Sequence, residues 1–99
     1  MSTRTPTILS VQAEAPTTLL VEFSGGHWRR YDIAPLLTDP AFEPLRDAGF
    51  FKAVQIESGG YALVWNSEID LAEHEIWSKG MPVESPDSVL LLAAEAMQD

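Results

Sequence analysis

The 99-residue sequence has no cysteine. That excludes a disulfide framework and any thiolate metal site, and it fits a reducing, cytoplasmic setting, the compartment expected for this chain. Histidine is nearly missing too: His27 and His74 are the only two, and they stand far apart. Zinc sites of the structural kind use about four side-chain ligands, so no metal and no other cofactor is expected. Long apolar runs are absent. The longest, residues 89–94, falls far short of the about 20 residues that a membrane-crossing helix needs, and no membrane association is expected. The opening MSTRTPTILS has one arginine and no continuous apolar stretch, so it is not expected to act as a signal peptide. No serine sits in a G-x-S-x-G elbow, and neither glycine pair precedes a helix start as a phosphate-binding loop would. An enzyme is therefore not expected.

Basic residues are also scarce, six against fifteen acidic ones, for a formal net charge of −9. The imbalance is concentrated. Residues 1–52 carry six acids and five bases, and residues 53–99 carry nine acids and one base. A surface this acidic repels phosphates, so direct binding to nucleic acid is disfavoured, while a basic protein partner is favoured.

What is present reads as one α+β domain over residues 1–84, followed by a C-terminal helix over residues 85–99 that docks on the domain or on a partner. The clearest signal is TLLVEFSGGHWRRYD, residues 18–32, in which two alternating segments flank Gly25-Gly26. A two-residue Gly-Gly loop predicts a type I′ hairpin, with Phe23 opposite Trp28, Val21 opposite Arg30, Leu20 opposite Tyr31, and a cross-strand ion pair between Glu22 and Arg29. Residues 7–13 read as a preceding strand. Residues 53–57 and 61–65 read as a second hairpin around Ser58-Gly59-Gly60. Together they predict one antiparallel sheet of five strands. A short helical turn follows Asp32. The proline-punctuated stretch 38–49 is read as irregular, with at most one or two short helical turns around Phe42 to Arg46, and Phe42, Leu45 and Phe51 are expected to cover the sheet. Asp70 with Glu73 three residues on resembles a capping box and predicts a helix opening at Asp70, with Ile69, Ala72 and Ile76 on one face and a stop at Gly80 and Pro82. Val21, Phe23, Val54, Ile56, Leu63 and Trp65 are the expected core.

Several residues stand out as candidate sites. Asp70 and His74, four apart on the predicted helix, would share a face and offer half a metal or enzymatic site. The plainer reading is a helix cap beside a solvated acidic face. The tract Trp28-Arg29-Arg30-Tyr31 alternates aromatics and bases, a pattern that can stack on single-stranded nucleic acid. The plainer reading is a strand with an ion pair. Asn66, following the buried Trp65, is read first as tying a turn through its side chain and second as lining a polar pocket beside Trp65. Trp65, Asn66, Asp70, Trp28 and Arg30 are thus the candidate binding residues, with no catalytic group among them. In the last helix Val89, Leu92, Ala93 and Ala96 form one apolar stripe and Leu90, Ala94 and Met97 another. A helix apolar on two sides predicts an interface, as a homodimer or with another protein, through Val89, Leu90, Leu92 and Met97.

The segments VEFSGGHWRRYDIAPLL, FKAVQIESGGYAL and VWNSEIDLAEHEIWSKG together resemble a small bacterial family, domain of unknown function 2442, typified by the N-terminal domain of a Nitrosomonas protein. The resemblance rests on Tyr31, Asp32, Leu36 and Leu37, on the connector with Phe42, Pro44, Leu45 and Phe51, and on Trp65, Asn66, Asp70, Trp77 and Gly80. It implies an antiparallel α+β fold with short helices. It implies no established activity and no catalytic residues. Some members are joined to a helix-turn-helix domain, and others lie beside small proteins in toxin–antitoxin-like settings. The stretch after Gly80 is long enough for one helix and not for such a domain, and the segment before Asp70 lacks the glycine that many members carry. The resulting expectation is a non-catalytic interaction or regulatory module, with the Asp70–His74 and Trp28–Tyr31 readings as its alternatives.

Overall fold

The computed structural model describes residues 5–14 and 16–84. The predicted C-terminal helix, with Val89, Leu90, Leu92 and Met97, lies outside the described residues. Among the described residues, seven strands form two antiparallel sheets. The first sheet has the order β1-β2-β3-β7, from β1 (Ile8–Glu14), β2 (Thr18–Phe23), β3 (His27–Asp32) and β7 (Met81–Val83). The second has the order β4-β5-β6, from β4 (Gln55–Ile56), β5 (Ala62–Val64) and β6 (Asp70–Ala72). Two 3-10 helices, Ala34–Thr38 and Pro40–Arg46, and a short α1 (Ala48–Lys52) connect the sheets, and α2 (Glu73–Lys79) leads from β6 to β7. The fold is α+β, as the alternation and the helix signals imply, but the single five-stranded sheet becomes two sheets.

The β2–β3 hairpin forms at the expected place with a register one residue off. Phe23 pairs with His27, Glu22 with Trp28, Val21 with Arg29, Leu20 with Arg30 and Leu19 with Tyr31. The loop therefore holds three residues, Ser24, Gly25 and Gly26, with positive φ at both glycines (88° and 81°). Three-residue loops are the next commonest hairpin connection, and Ser24 fits one because its own backbone N–H bonds the Thr7 carbonyl at 2.8 Å. The shift removes the predicted Glu22–Arg29 ion pair. Glu22 instead accepts from Ser10 Oγ at 3.0 Å, while Arg29 lies over the Trp77 ring, 3.9 Å from its centroid. It also puts Val21, Phe23, Arg29 and Tyr31 on the inner face, and Leu20, Glu22, Trp28 and Arg30 on the outer one.

Proline and aspartate shape the connector. Asp32 Oδ1 accepts from the Ala34 N–H at 2.9 Å and starts the first 3-10 helix, in which Pro35 occupies an early position. Asp39 and Asp47 do the same for Pro40–Arg46 and α1, accepting from Ala41 N–H at 3.0 Å and Phe50 N–H at 2.8 Å. These starts drive Leu45 and Phe51 into the core.

The segment predicted to open a helix at Asp70 is instead strand β6, and α2 begins at Glu73 with Ala72 before it and no side-chain cap. The reason lies in the ladder. Asp70, Leu71 and Ala72 pair with Val64, Leu63 and Ala62, and extending the chain buries both Ile69 and Leu71, which a helix from Asp70 would not do. Ala72, expected on the apolar helix face, is exposed.

The two sheets meet where Gly60 touches β1. The Gly60 carbonyl accepts from Ile8 N–H at 2.8 Å, and a Cβ at Gly60 would stand 2.6 Å from the Ile8 carbonyl oxygen with φ at +78°. Only glycine meets both demands. Between the sheets lies a core of Ile8, Leu19, Val21, Phe23, Ile33, Leu45, Phe51, Leu63, Trp65, Ile69, Leu71 and Ile76, with Val54, Ile56 and Phe42 packed against it.

Candidate functional site

Strand β3 is longer than its neighbour β7, and that mismatch makes a notch. Strand β7 pairs only with Trp28, Arg29 and Arg30. Beyond Met81 the edge of β3 at Tyr31 and Asp32 has no strand beside it among the described residues, and a shallow space of about 350 Å³ opens there. Arg30, Tyr31 and Asp32 of β3, Pro35 and Leu36 of the first 3-10 helix, Glu75 and Lys79 of α2, and Met81 of β7 line it.

The polar groups of the notch are already engaged. Tyr31 donates its hydroxyl to Glu75 Oε2 at 2.8 Å, and Lys79 pairs with the same oxygen at 3.3 Å. Arg30 bonds Glu14 at 3.0 Å across β2, and Asp32 accepts from Thr17 Oγ1 at 2.7 Å. Burial raises the Tyr31 hydroxyl well above its ordinary pKa, helped by its bond to the Glu75 carboxylate and by that group's charge. The tyrosine is thus a neutral donor that clasps α2 to the sheet. The apolar groups are the ones left open: Met81 is 68% exposed, and Pro35 and Leu36 flank it across the space.

The candidate residues from sequence fall into two groups that do not come together. Trp28 and Arg30 share the outer face of the first sheet, and Arg30 reaches the notch. The Trp28–Tyr31 tract is split, because Arg29 and Tyr31 point inward. Trp65, Asn66 and Asp70 belong to the second sheet. Trp65 is buried, stacks on Phe51 with ring centroids 6.4 Å apart, and donates Nε1–H to the Phe51 carbonyl at 2.9 Å. Asn66 Oδ1 accepts from both Glu68 and Ile69 N–H, each at 2.8 Å, so it holds the turn between β5 and β6. Asp70 projects from β6 beside Val64. His74 lies on α2, with Nδ1 3.3 Å from Thr5 Oγ1. Asp70 and His74 therefore occupy a strand and a helix rather than one helix face, and among the described residues no three His, Cys, Asp or Glu side chains cluster as a metal site.

Of the notch, the sequence singled out Arg30 and Tyr31, but as part of an aromatic–basic tract. Glu75 and Lys79 looked like ordinary helix residues, and the strand Met81–Val83 was hidden in a three-residue run after a helix stop. The one available signal was Lys79 four residues after Glu75, a spacing that supports an ion pair on a helix.

The fold and the notch define a class: a small α+β domain of two antiparallel sheets joined by short helices, with an open, apolar-rimmed notch. Residues 8–82 match the family described as Protein of unknown function (DUF2442), and the chain belongs to that family. No curated protein and no solved structure matches it.

Proposed function

We propose that this domain is a non-catalytic interaction or regulatory module that receives an apolar side chain of a protein partner in the notch at the end of β7. The observation that carries the reading is the division of labour there. Every charged lining group is bonded to a neighbour, whereas Met81 stands open beside Leu36 and Pro35. A site arranged this way offers shape and apolar surface rather than a reactive group, and methionine adapts to varied partners. One half of a small bacterial operon pair, of the toxin–antitoxin-like kind, is the setting we propose for it.

The test is capture from a lysate of the native host, with the wild type, Met81→Asp and a Glu43→Gln control as baits. A stoichiometric protein held by the wild type and the control, and lost with Met81→Asp, supports the reading. The same protein retained by all three places the contact elsewhere.

A further inference from the structure

Among the described residues, the second sheet ends in β6 with no strand beyond it. Two ladder bonds fix the phase of the β5–β6 pair: Trp65 N–H to the Ile69 carbonyl and Glu73 N–H to the Tyr61 carbonyl, both 3.0 Å. In an antiparallel ladder alternate residues face the partner strand, so Ile69, Leu71 and Glu73 turn their backbone groups toward β5. Asp70 and Ala72 turn theirs to the other side, and both residues are exposed. Outward-facing N–H groups of this kind are what an added strand pairs with.

Charge selects the occupant. Asp70 lies on this strand, with Glu68 in the turn just before it and Glu73 at the start of α2 just after it, and among the described residues none of the three is in a salt bridge. Residues 53–78 contain five acids and neither lysine nor arginine. Two copies joined through β6 would set these carboxylates against one another, which is costly, whereas a basic strand would be drawn to them.

We propose that the outer edge of β6 accepts an extended, lysine- or arginine-bearing segment of a partner protein as an additional strand. Asp70 and Ala72 supply the backbone bonds, and the carboxylates of Glu68, Asp70 and Glu73 supply the complementary charge. The proposal rests on the reading of the chain as an interaction module but uses a surface separate from the notch.

The backbone itself offers the test. Ala72 has φ −68° and ψ 149°, angles that proline adopts without strain, so Ala72→Pro removes one outward donor and leaves the fold intact. The probe is a capped peptide of alternating lysine and valine, titrated into the full chain at low salt while backbone amide shifts are followed. The expected result is binding that perturbs Asp70 and Ala72. It weakens about tenfold in Ala72→Pro, the size of one lost hydrogen bond, and likewise when the peptide backbone is N-methylated. A glutamate–valine peptide should not bind, and Met81→Asp should change nothing, which separates this proposal from the notch. Equal affinity for the N-methylated peptide, shifts centred on Met81 and Leu36, self-association through β6, or no binding at about 1 mM peptide, the weak end of specific recognition, overturns it.

Discussion

Among the described residues the two sheets end in edge strands of equal length, β6 and β7, and chemistry treats them in opposite ways. Along β3 the phase is set by the Ile33 N–H bond to the Thr17 carbonyl, which turns Trp28 and Arg30 toward β7. Their partners Val83 and Met81 therefore face inward, and the residue facing outward is Pro82, which has no N–H to give. The β7 edge is closed to strand addition by one proline, a common protection for exposed edges. The β6 edge has Asp70 and Ala72 at the outward positions and keeps both donors. An edge can thus be closed by removing a donor, or left open and screened by charge, and screening admits a partner of the opposite sign.

Removing the platform behind β6 should have the largest effect. Trp65 is buried against Phe51 and holds its carbonyl. Trp65→Ala should cost about 3–5 kcal/mol in urea melts. A loss under about 1 kcal/mol is what surface changes give, and would place the indole outside the core. Gly60→Ala comes next. Its added methyl meets the Ile8 carbonyl at a positive φ, so the junction between the sheets must yield, at about 2–3 kcal/mol by the same measurement. A variant as stable as the wild type would mean that the junction is not strained by a side chain. Asn66→Ala loosens the entry to β6 alone. Losing two bonds to the Glu68 and Ile69 N–H groups should cost about 1 kcal/mol, with faster amide exchange at residues 68–70 and unchanged exchange in β7.

The smallest effect at neutral pH belongs to the other side, where Tyr31 clasps α2. Burial and Glu75 hold the Tyr31 hydroxyl above its unfolded pKa of about 10. Below that pH both states keep the proton and stability is flat with respect to this group. Above it the unfolded chain loses the proton first, so stability falls as pH rises. Thermal melts should show a decline beginning near pH 10 that Tyr31→Phe lacks. Equal slopes in the two proteins would mean that the hydroxyl is not held in this way.

Residues with a strong local preference were legible in the sequence. Gly25-Gly26 and Ser58-Gly59-Gly60 mark hairpin ends, Asp32 starts a helical turn, Gly80 stops a helix, and Phe23, Leu63 and Phe51 fill the core. What was not legible depended on tertiary competition. The pattern Asp70…Glu73 satisfies a helix start locally, but pairing with β5 buries Leu71 and wins. The hairpin register turned on whether Ser24 belonged to the loop, and Ser24 is held there by a contact to Thr7, distant in sequence. Of the candidate residues, Asn66 showed its turn chemistry from sequence, whereas the notch needed β7, a strand too short to carry a periodic signal.

Residue-resolved amide hydrogen exchange on the free protein reads both edges in one experiment. Leu71, Met81 and Val83 should be protected by the ladders, while Asp70 and Ala72 should exchange near the rate of an unstructured chain. Asp70 and Ala72 protected to the same degree as Leu71 would contradict an open β6 edge, since that edge would then already be filled.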